Sequence, residues 1–216
     1  MKDTKDWHKW KKDYPELENC AEDVRTGIEA LIGCFRAGRK LLLCGNGGSA
    51  ADCEHIAGEL LKGFLLKRPL NQEERRALRD AGAEEGFADS LQRGLPVISL
   101  VGHPAFATAY WNDVDGKFVF AQQVNVFGKE GDTLLAISTS GNAENIYNAL
   151  ICAKAKGMTT IILTGREGGR ASKIADIAIK APADETYRIQ EKHLPIYHCI
   201  CAEIEKQLFG EGNLAL

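Results

Sequence analysis

No run of about eighteen apolar residues occurs anywhere in the 216-residue chain, so nothing in it predicts a membrane-spanning helix. A surplus of positive charge is missing too. The 27 Lys and Arg stand against 30 Asp and Glu, a net charge of −3, which argues against a nucleic-acid backbone as partner. Seven cysteines are present, but the number is odd and no Cys-x-x-Cys pair occurs. Most lie inside apolar runs such as Leu41-Leu42-Leu43-Cys44, which predicts buried reduced thiols in place of disulfides. The G-x-x-x-x-G-K-[ST] loop is also absent, which excludes a nucleoside triphosphate site of that kind. The opening Met1-Lys2-Asp3-Thr4-Lys5-Asp6 is too polar for a signal peptide, so a cytoplasmic location is expected. What is present, 44% hydrophobic and 26% charged residues, is the composition of an ordinary folded domain and excludes disorder.

The order of apolar segments gives the organisation. Residues 1–15 carry Trp7, Trp10 and Tyr14 and predict a short arm or helix. From Pro15 to Gly38, apolar residues at Leu17, Val24, Ile28, Leu31, Ile32 and Phe35 recur at helical spacing. Short strand-like runs follow at 40–44, 96–101, 133–137, 159–163 and, more weakly, 174–179. Helices are expected at about 49–66, 117–127, 143–156 and 186–209. This alternation predicts one α/β domain spanning residues 1–216, with a flavodoxin-like five-stranded parallel sheet and helices on both faces. A charged, glycine-punctuated stretch at 67–95 breaks the rhythm and predicts a helical insertion of two short helices.

Two strand-to-helix turns have the composition of anion sites. After the first strand comes Gly45-Asn46-Gly47-Gly48-Ser49, whose glycines let the backbone approach a ligand and whose helix start presents N–H groups. The same residues fit the loose dinucleotide pattern, yet the next strand begins near Pro96 and ends without an acidic residue, so no nucleotide cofactor is expected. After the third strand comes Ser138-Thr139-Ser140-Gly141-Asn142. An N-cap would need one of those hydroxyls. Three in a row, at an equivalent topological position, point to a phosphate ester.

These segments, with Leu163-Thr164-Gly165, Gly168-Gly169 and Arg188-Ile189-Gln190-Glu191, resemble the sugar isomerase (SIS) domain family. Within it they resemble the phosphoheptose isomerases, which convert sedoheptulose 7-phosphate to D-glycero-D-manno-heptose 7-phosphate. The resemblance runs from Leu17 to Phe209. It implies that Asn46, Gly47, Gly48, Ser49, Ser138, Thr139, Ser140, Asn142 and Gln190 contact the substrate. It implies that Glu59 is the catalytic base and His55 a metal ligand or active-site partner. His55 and Glu59 are four residues apart on a predicted helix, so they share a face. Spacing alone does not choose between His193 and His198, whereas the family pattern places its functional glutamine and histidine at Gln190 and His198. Asn112 and Asp113 match a family position near the sugar, although Asn-Asp is equally ordinary in a turn or cap. Ala143 stands where relatives often have serine, and Tyr187 where some have an acidic residue.

Aldose–ketose interconversion moves a proton between adjacent carbons through an enediol. Glu59 is suited to take that proton and His198 to act as the general acid. His55, Glu59, Gln190 and His198 also compose a zinc site, since some relatives carry zinc at matching positions; one zinc per subunit is the corresponding expectation. The resemblance further implies a homotetramer with sites at subunit interfaces. A non-catalytic SIS adaptor that binds the replication initiator, and an isomerase of another phosphosugar, are the competing readings. Retention of Glu59, Gln190 and His198 favours the enzyme.

Overall fold

Five short runs of aliphatic residues, most of them buried on both faces, build the centre of the molecule. They are β1 (Leu41–Gly45), β2 (Val97–Ser99), β3 (Thr133–Ile137), β4 (Thr159–Thr164) and β5 (Ile177–Lys180). Residues buried on both faces need helices on both faces, and that environment selects parallel pairing. The computed structural model describes residues 4–210, and every strand pair in it is parallel, in the order β2-β1-β3-β4-β5. The order reverses between β1 and β3, so a crevice opens at their carboxyl ends. Both glycine- and hydroxyl-rich loops leave those two strands.

The helices are α1 (Lys5–Asp13), α2 (Ala21–Arg36), α3 (Gly48–Leu61), α4 (Gln72–Asp80), α5 (Pro104–Asp113), α6 (Val119–Phe127), α7 (Glu144–Ala155) and α8 (Thr186–Phe209). One face of the sheet is covered by α1, α2, α3 and α8, through a core that includes Trp7, Ile28, Leu43, Ile56, Ile161 and Ile200. The other is covered by α6 and α7 over Leu42, Leu134 and Ile162. The aromatic N-terminal segment is a helix: Thr4 caps it by accepting from Trp7 N at 3.1 Å, and Trp10 Nε1 donates to the Pro195 carbonyl at 2.9 Å. Pro195 gives no N–H to the helical ladder, yet α8 runs through it from Thr186 to Phe209.

Three elements differ from the sequence expectations. The segment expected as one helix from Pro15 to Gly38 begins with a 3-10 turn, Pro15–Cys20, before α2. No helix was expected at α5, because its alanine-rich sequence buries no apolar stripe; Pro104 in its first turn starts it. Finally, α3 stops at Leu61 where the pattern predicted about 66. The reason lies in α8. The backbone N–H groups of Phe64, Leu65 and Leu66 donate to the Glu205 carboxylate at 2.7–2.9 Å, so they are withdrawn from any continuing helical ladder. Arg68 Nε reaches the same carboxylate at 2.7 Å, and its Nη1 donates to the Leu60 carbonyl at 3.0 Å. The insertion after this anchor holds α4, with a capping box between Asn71 and Glu74, and a 3-10 turn at Phe87–Ser90. It closes on itself through the Pro69–Gln92 bridge and Arg93 N to Arg68 O at 2.7 Å.

Both side chains of the Arg68–Glu205 pair are almost wholly buried, so removing one charge strands the other. Glu205→Gln is expected to destabilise the fold by about 3–5 kcal/mol. Urea unfolding measures it as a lower midpoint at unchanged slope. A loss under about 1 kcal/mol would show that the pair is not the anchor of the loop after α3.

Candidate active site

The first loop turns on Gly47, which caps α3 with φ of 55°, a conformation that favours glycine. Gly48 follows, and a Cβ there would collide with the Gln190 side-chain amide. Gln190 of α8 therefore lies directly over the start of α3. Ser49 is buried behind it. The second loop is pressed onto residues 165–169: Gly165 N donates to Thr139 O at 2.9 Å, and a Cβ on Gly141 would meet the Gly168 carbonyl. Ser138 is buried, while Ser140 and Asn142 are exposed; Ser140 Oγ accepts from Asn142 N at 3.2 Å. Asn46 of the first loop and Asn145 in the first turn of α7 exchange reciprocal amide hydrogen bonds, each 2.9 Å.

A cavity of about 560 Å³ opens against the first loop and is lined in part by Asn46, Gly47, Trp111, Asp115, Lys117 and Asn145. The Ser138–Asn142 loop does not line it. Asn112 and Asp113 occupy the last turn of α5, exposed, with Asn112 Nδ2 donating to Asp113 Oδ1 at 3.0 Å. Their neighbours Trp111 and Asp115, which sequence reasoning passed over, are the ones that reach the cavity.

Farther along α3 and α8 lies a cluster of titratable groups. His55 Nε2 stands 3.2 Å from Glu59 Oε1 and 3.4 Å from His198 Nε2, all within one chain. Glu59 Oε2 accepts from Lys62 Nζ at 3.2 Å, and the Glu59 side chain is only 16% exposed. Phe64 tilts its ring against His198 at 5.7 Å between centroids. Burial, together with the neighbouring His55, pulls the His198 imidazole below its ordinary value, with Glu59 opposing. Tyr197 and Asp52 join the cluster and were not singled out from the sequence. Tyr197 Oη lies 3.0 Å from His55 Nδ1, and the Asp52 carboxyl, whose Oδ2 is buried without a hydrogen-bond partner, is close enough to influence both. Burial, then Asp52, pushes the Tyr197 phenol well up, and burial pushes the Asp52 carboxyl up with Tyr197 opposing. No sequence signal could have found Tyr197, since its neighbour His198 absorbs the motif.

The donors around His55 suit zinc in kind and spacing. Ligands about 2.0–2.1 Å from a tetrahedral zinc lie roughly 3.3 Å apart, close to both contacts of His55 Nε2. The described residues do not, however, close into a complete set of three or more His, Cys, Asp or Glu ligands. Gln190, the fourth expected ligand, sits over Gly48, about 12 Å up the helix axis from His198. His193, the alternative to His198, is fully buried on α8, and burial pushes its imidazole down to about 4, with the Thr164 backbone opposing.

That burial has a pH signature. The unfolded chain takes a proton on this histidine near 6.5, well before the folded chain does at about 4. Stability should therefore fall as pH drops through that window, by on the order of 3 kcal/mol from this group. Urea midpoints for His193→Leu, measured from pH 7 to 4.5, are expected to fall less steeply than those of the parent chain. Parallel curves would remove His193 from the account.

The SIS domain family profile matches residues 15–93 and 74–165. The chain is 40% identical over 190 residues to the phosphoheptose isomerase of Clostridium acetobutylicum, covering 88% of this chain and 85% of that protein. It is 39% identical over 197 residues to that of Sulfurimonas denitrificans, covering 91% and 89%. Among solved structures it is similar to the phosphoheptose isomerase of Neisseria gonorrhoeae, at a TM-score of 0.73 and 30% identity, over 93% of this chain and 95% of the other.

Proposed function

The chain belongs to the SIS domain family and, within it, to the phosphoheptose isomerases, and from that membership we propose that it converts D-sedoheptulose 7-phosphate to D-glycero-D-manno-heptose 7-phosphate. The observation that carries the mechanism is the meeting of Glu59 and His198 at one imidazole, His55, where α8 crosses the face of α3, the helix that begins at the glycine-rich loop. A phosphate held by the loops at 46–49 and 138–142 would anchor the far end of the sugar. Binding energy spent there orients the reacting carbons.

In the reading proposed, Glu59 removes the proton from C1 of the ketose, next to the C2 carbonyl. His198 donates its N–H toward the carbonyl oxygen as that oxygen gains charge. The enediol then takes a proton back on C2 from Glu59, while the O1 hydroxyl proton leaves through His198 to give the aldehyde. Electrons and protons balance within the sugar, so no redox partner is needed. Because its environment holds His198 below its ordinary value, it works as a neutral imidazole that lends and recovers one proton. Lys62, at 3.2 Å from Glu59, keeps the carboxylate turned toward His55.

We further propose one zinc per subunit, for which His55, Glu59 and His198 would supply ligands after closing in from their present spacing and which would polarise the substrate oxygens when bound. Elemental analysis of the purified chain tests that, and a preparation fully active without zinc rules it out. A homotetramer is proposed on the exposed apolar side chains of Leu61, Leu65, Trp111, Val114 and Val126, which a neighbouring copy would cover. A monomer by light scattering excludes it. A cytoplasmic location is proposed on the seven free cysteines. Among the described residues no helix is long and apolar enough to cross a membrane.

Glu59→Gln keeps the shape and removes the base. With sedoheptulose 7-phosphate as substrate, kcat is expected to fall by about 10²–10⁴ while substrate binding is retained. Near-normal turnover in that variant would take the base role away from Glu59.

A further inference from the structure

We infer that residues 164–171 are a positioning segment that takes up the acceptors of the Ser138–Asn142 loop, so that the loop meets a ligand with donors alone, the chemistry that suits a phosphate monoester. The pivot of the segment is the Gly168-Gly169 pair, to which the isomerase reading gives no task. Gly165 N donates to Thr139 O at 2.9 Å, and Thr164 Oγ1 approaches the same carbonyl at 3.4 Å. Ala171 N donates to Gly141 O at 2.9 Å, and Arg170 N to Asn142 Oδ1 at 3.1 Å. The Ser138 carbonyl is taken inside the loop, by Gly141 N at 3.1 Å. Each of these oxygens carries partial negative charge, and any of them turned toward a dianion would repel it.

The donors are disposed the other way. Among the described residues, the backbone N–H groups of Thr139 and Ser140 reach no acceptor. Helix α7 starts just after the loop with Ala143 at its N-cap and no side chain capping it. The loop hydroxyls therefore do not perform the capping that would otherwise account for them. Ser140 Oγ accepts from Asn142 N at 3.2 Å and still has its own proton to give. Backbone N–H groups, hydroxyl protons and an uncapped helix start gathered in one turn suit an anion. The Arg170 guanidinium is held over the Tyr147 ring, 4.3 Å from its centroid, so this residue serves the loop through its backbone. The fit between segment and loop is backbone against backbone. Gly169 and Gly141 have φ of 54° and 64°, which favours glycine at both. A Cβ on Gly169 would stand 2.4 Å from the Ser140 carbonyl oxygen and 2.6 Å from the Gly141 carbonyl carbon. A side chain there forces the two turns apart and releases the carbonyls that the segment holds. The inference rests on the phosphate role proposed above for this loop.

The test pairs kinetics with a binding measurement on the full-length protein. Gly169→Ala is expected to raise KM for sedoheptulose 7-phosphate by about tenfold or more, while kcat moves less than about threefold. In phosphorus-31 NMR titrations its affinity for inorganic phosphate should fall by a similar factor. Gly157→Ala controls for lost stability. It places a Cβ at a φ of 69° beyond α7, where the nearest atoms belong to the Glu130 side chain, so KM and phosphate affinity should keep the parent values. Unchanged KM and phosphate affinity in Gly169→Ala overturn the inference, and so does an equal loss in Gly157→Ala. Should Gly169→Ala fail to fold, Gly168→Ala strains the same segment against only the Ser172 and Lys180 side chains, and an unchanged phosphate affinity there counts against it as well. A parent chain that binds no phosphate also overturns the inference. Phosphate binding that weakens as stated, in a protein that does not isomerise sedoheptulose 7-phosphate, would sink the proposed function and leave this inference standing.

Discussion

The parallel seating of α8 beside α3 is the constraint on which the site depends. It is fixed at three levels. At the top, Gln190 lies over Gly48, where only hydrogen leaves room for its amide. Two turns on, Tyr197 and His198 meet His55. At the bottom, Glu205 takes three backbone N–H groups and the Arg68 guanidinium from the chain that has just left α3. Each level sets the axial register of one helix against the other. A slip of one residue, about 1.5 Å along the axis and about 100° around it, would carry His198 away from His55. Stability and chemistry are therefore coupled, since the buried ion pair that ends α3 also sets the height at which the acid and base groups stand.

The lower anchor reaches the site by a second route. Glu205 accepts from Phe64 N, and the Phe64 ring lies against His198. The loop that begins the insertion is in this way part of the wall behind an active-site imidazole, although its own residues carry no chemistry. The insertion proper, with α4 and its exposed arginines, stands outside this wall and is tied back at its two ends, where Gln92 Oε1 accepts from Gly63 N at 2.8 Å and the Arg68 and Arg93 guanidinium groups lie over the Phe209 ring.

Much of this was legible from residue order. Strand runs buried on both faces announce themselves as unbroken aliphatic stretches, and the loops after β1 and β3 carry glycine and hydroxyl patterns that need no partner to be seen. The pair His55 and Glu59 was legible because helical spacing is local. What was not legible depends on contacts between distant segments. The early end of α3 is dictated by a glutamate about 140 residues later. Helix α5 buries no residue and so offers no periodicity to detect. Tyr197 reads as one more apolar position of α8, and only the opposing face of α3 gives its hydroxyl a partner, His55 Nδ1. The cavity residues Trp111 and Asp115 flank the Asn112-Asp113 pair but carry no motif of their own.

The seven thiols show the same dependence in reverse. Cys44 and Cys201 are wholly buried, and burial pushes both far above their ordinary value, so neither ionises at neutral pH. Cys53 sits one residue from Asp52 and Cys199 one residue from His198, yet both are buried, with the neighbouring carboxylates raising them further. A thiolate in either place would compete with the imidazoles for a proton or a metal. Keeping every thiol near the cluster protonated leaves the proton inventory to Asp52, Tyr197, His55, Glu59 and His198. The helix faces accomplish this by geometry. The residues of α3 and α8 that point at one another carry oxygen and nitrogen, while Cys53 and Cys201 turn into the apolar layer over the sheet. The alternation along each helix is thus a division of labour, with one face packing the core and the adjacent face holding a set of groups whose protons are few enough to count.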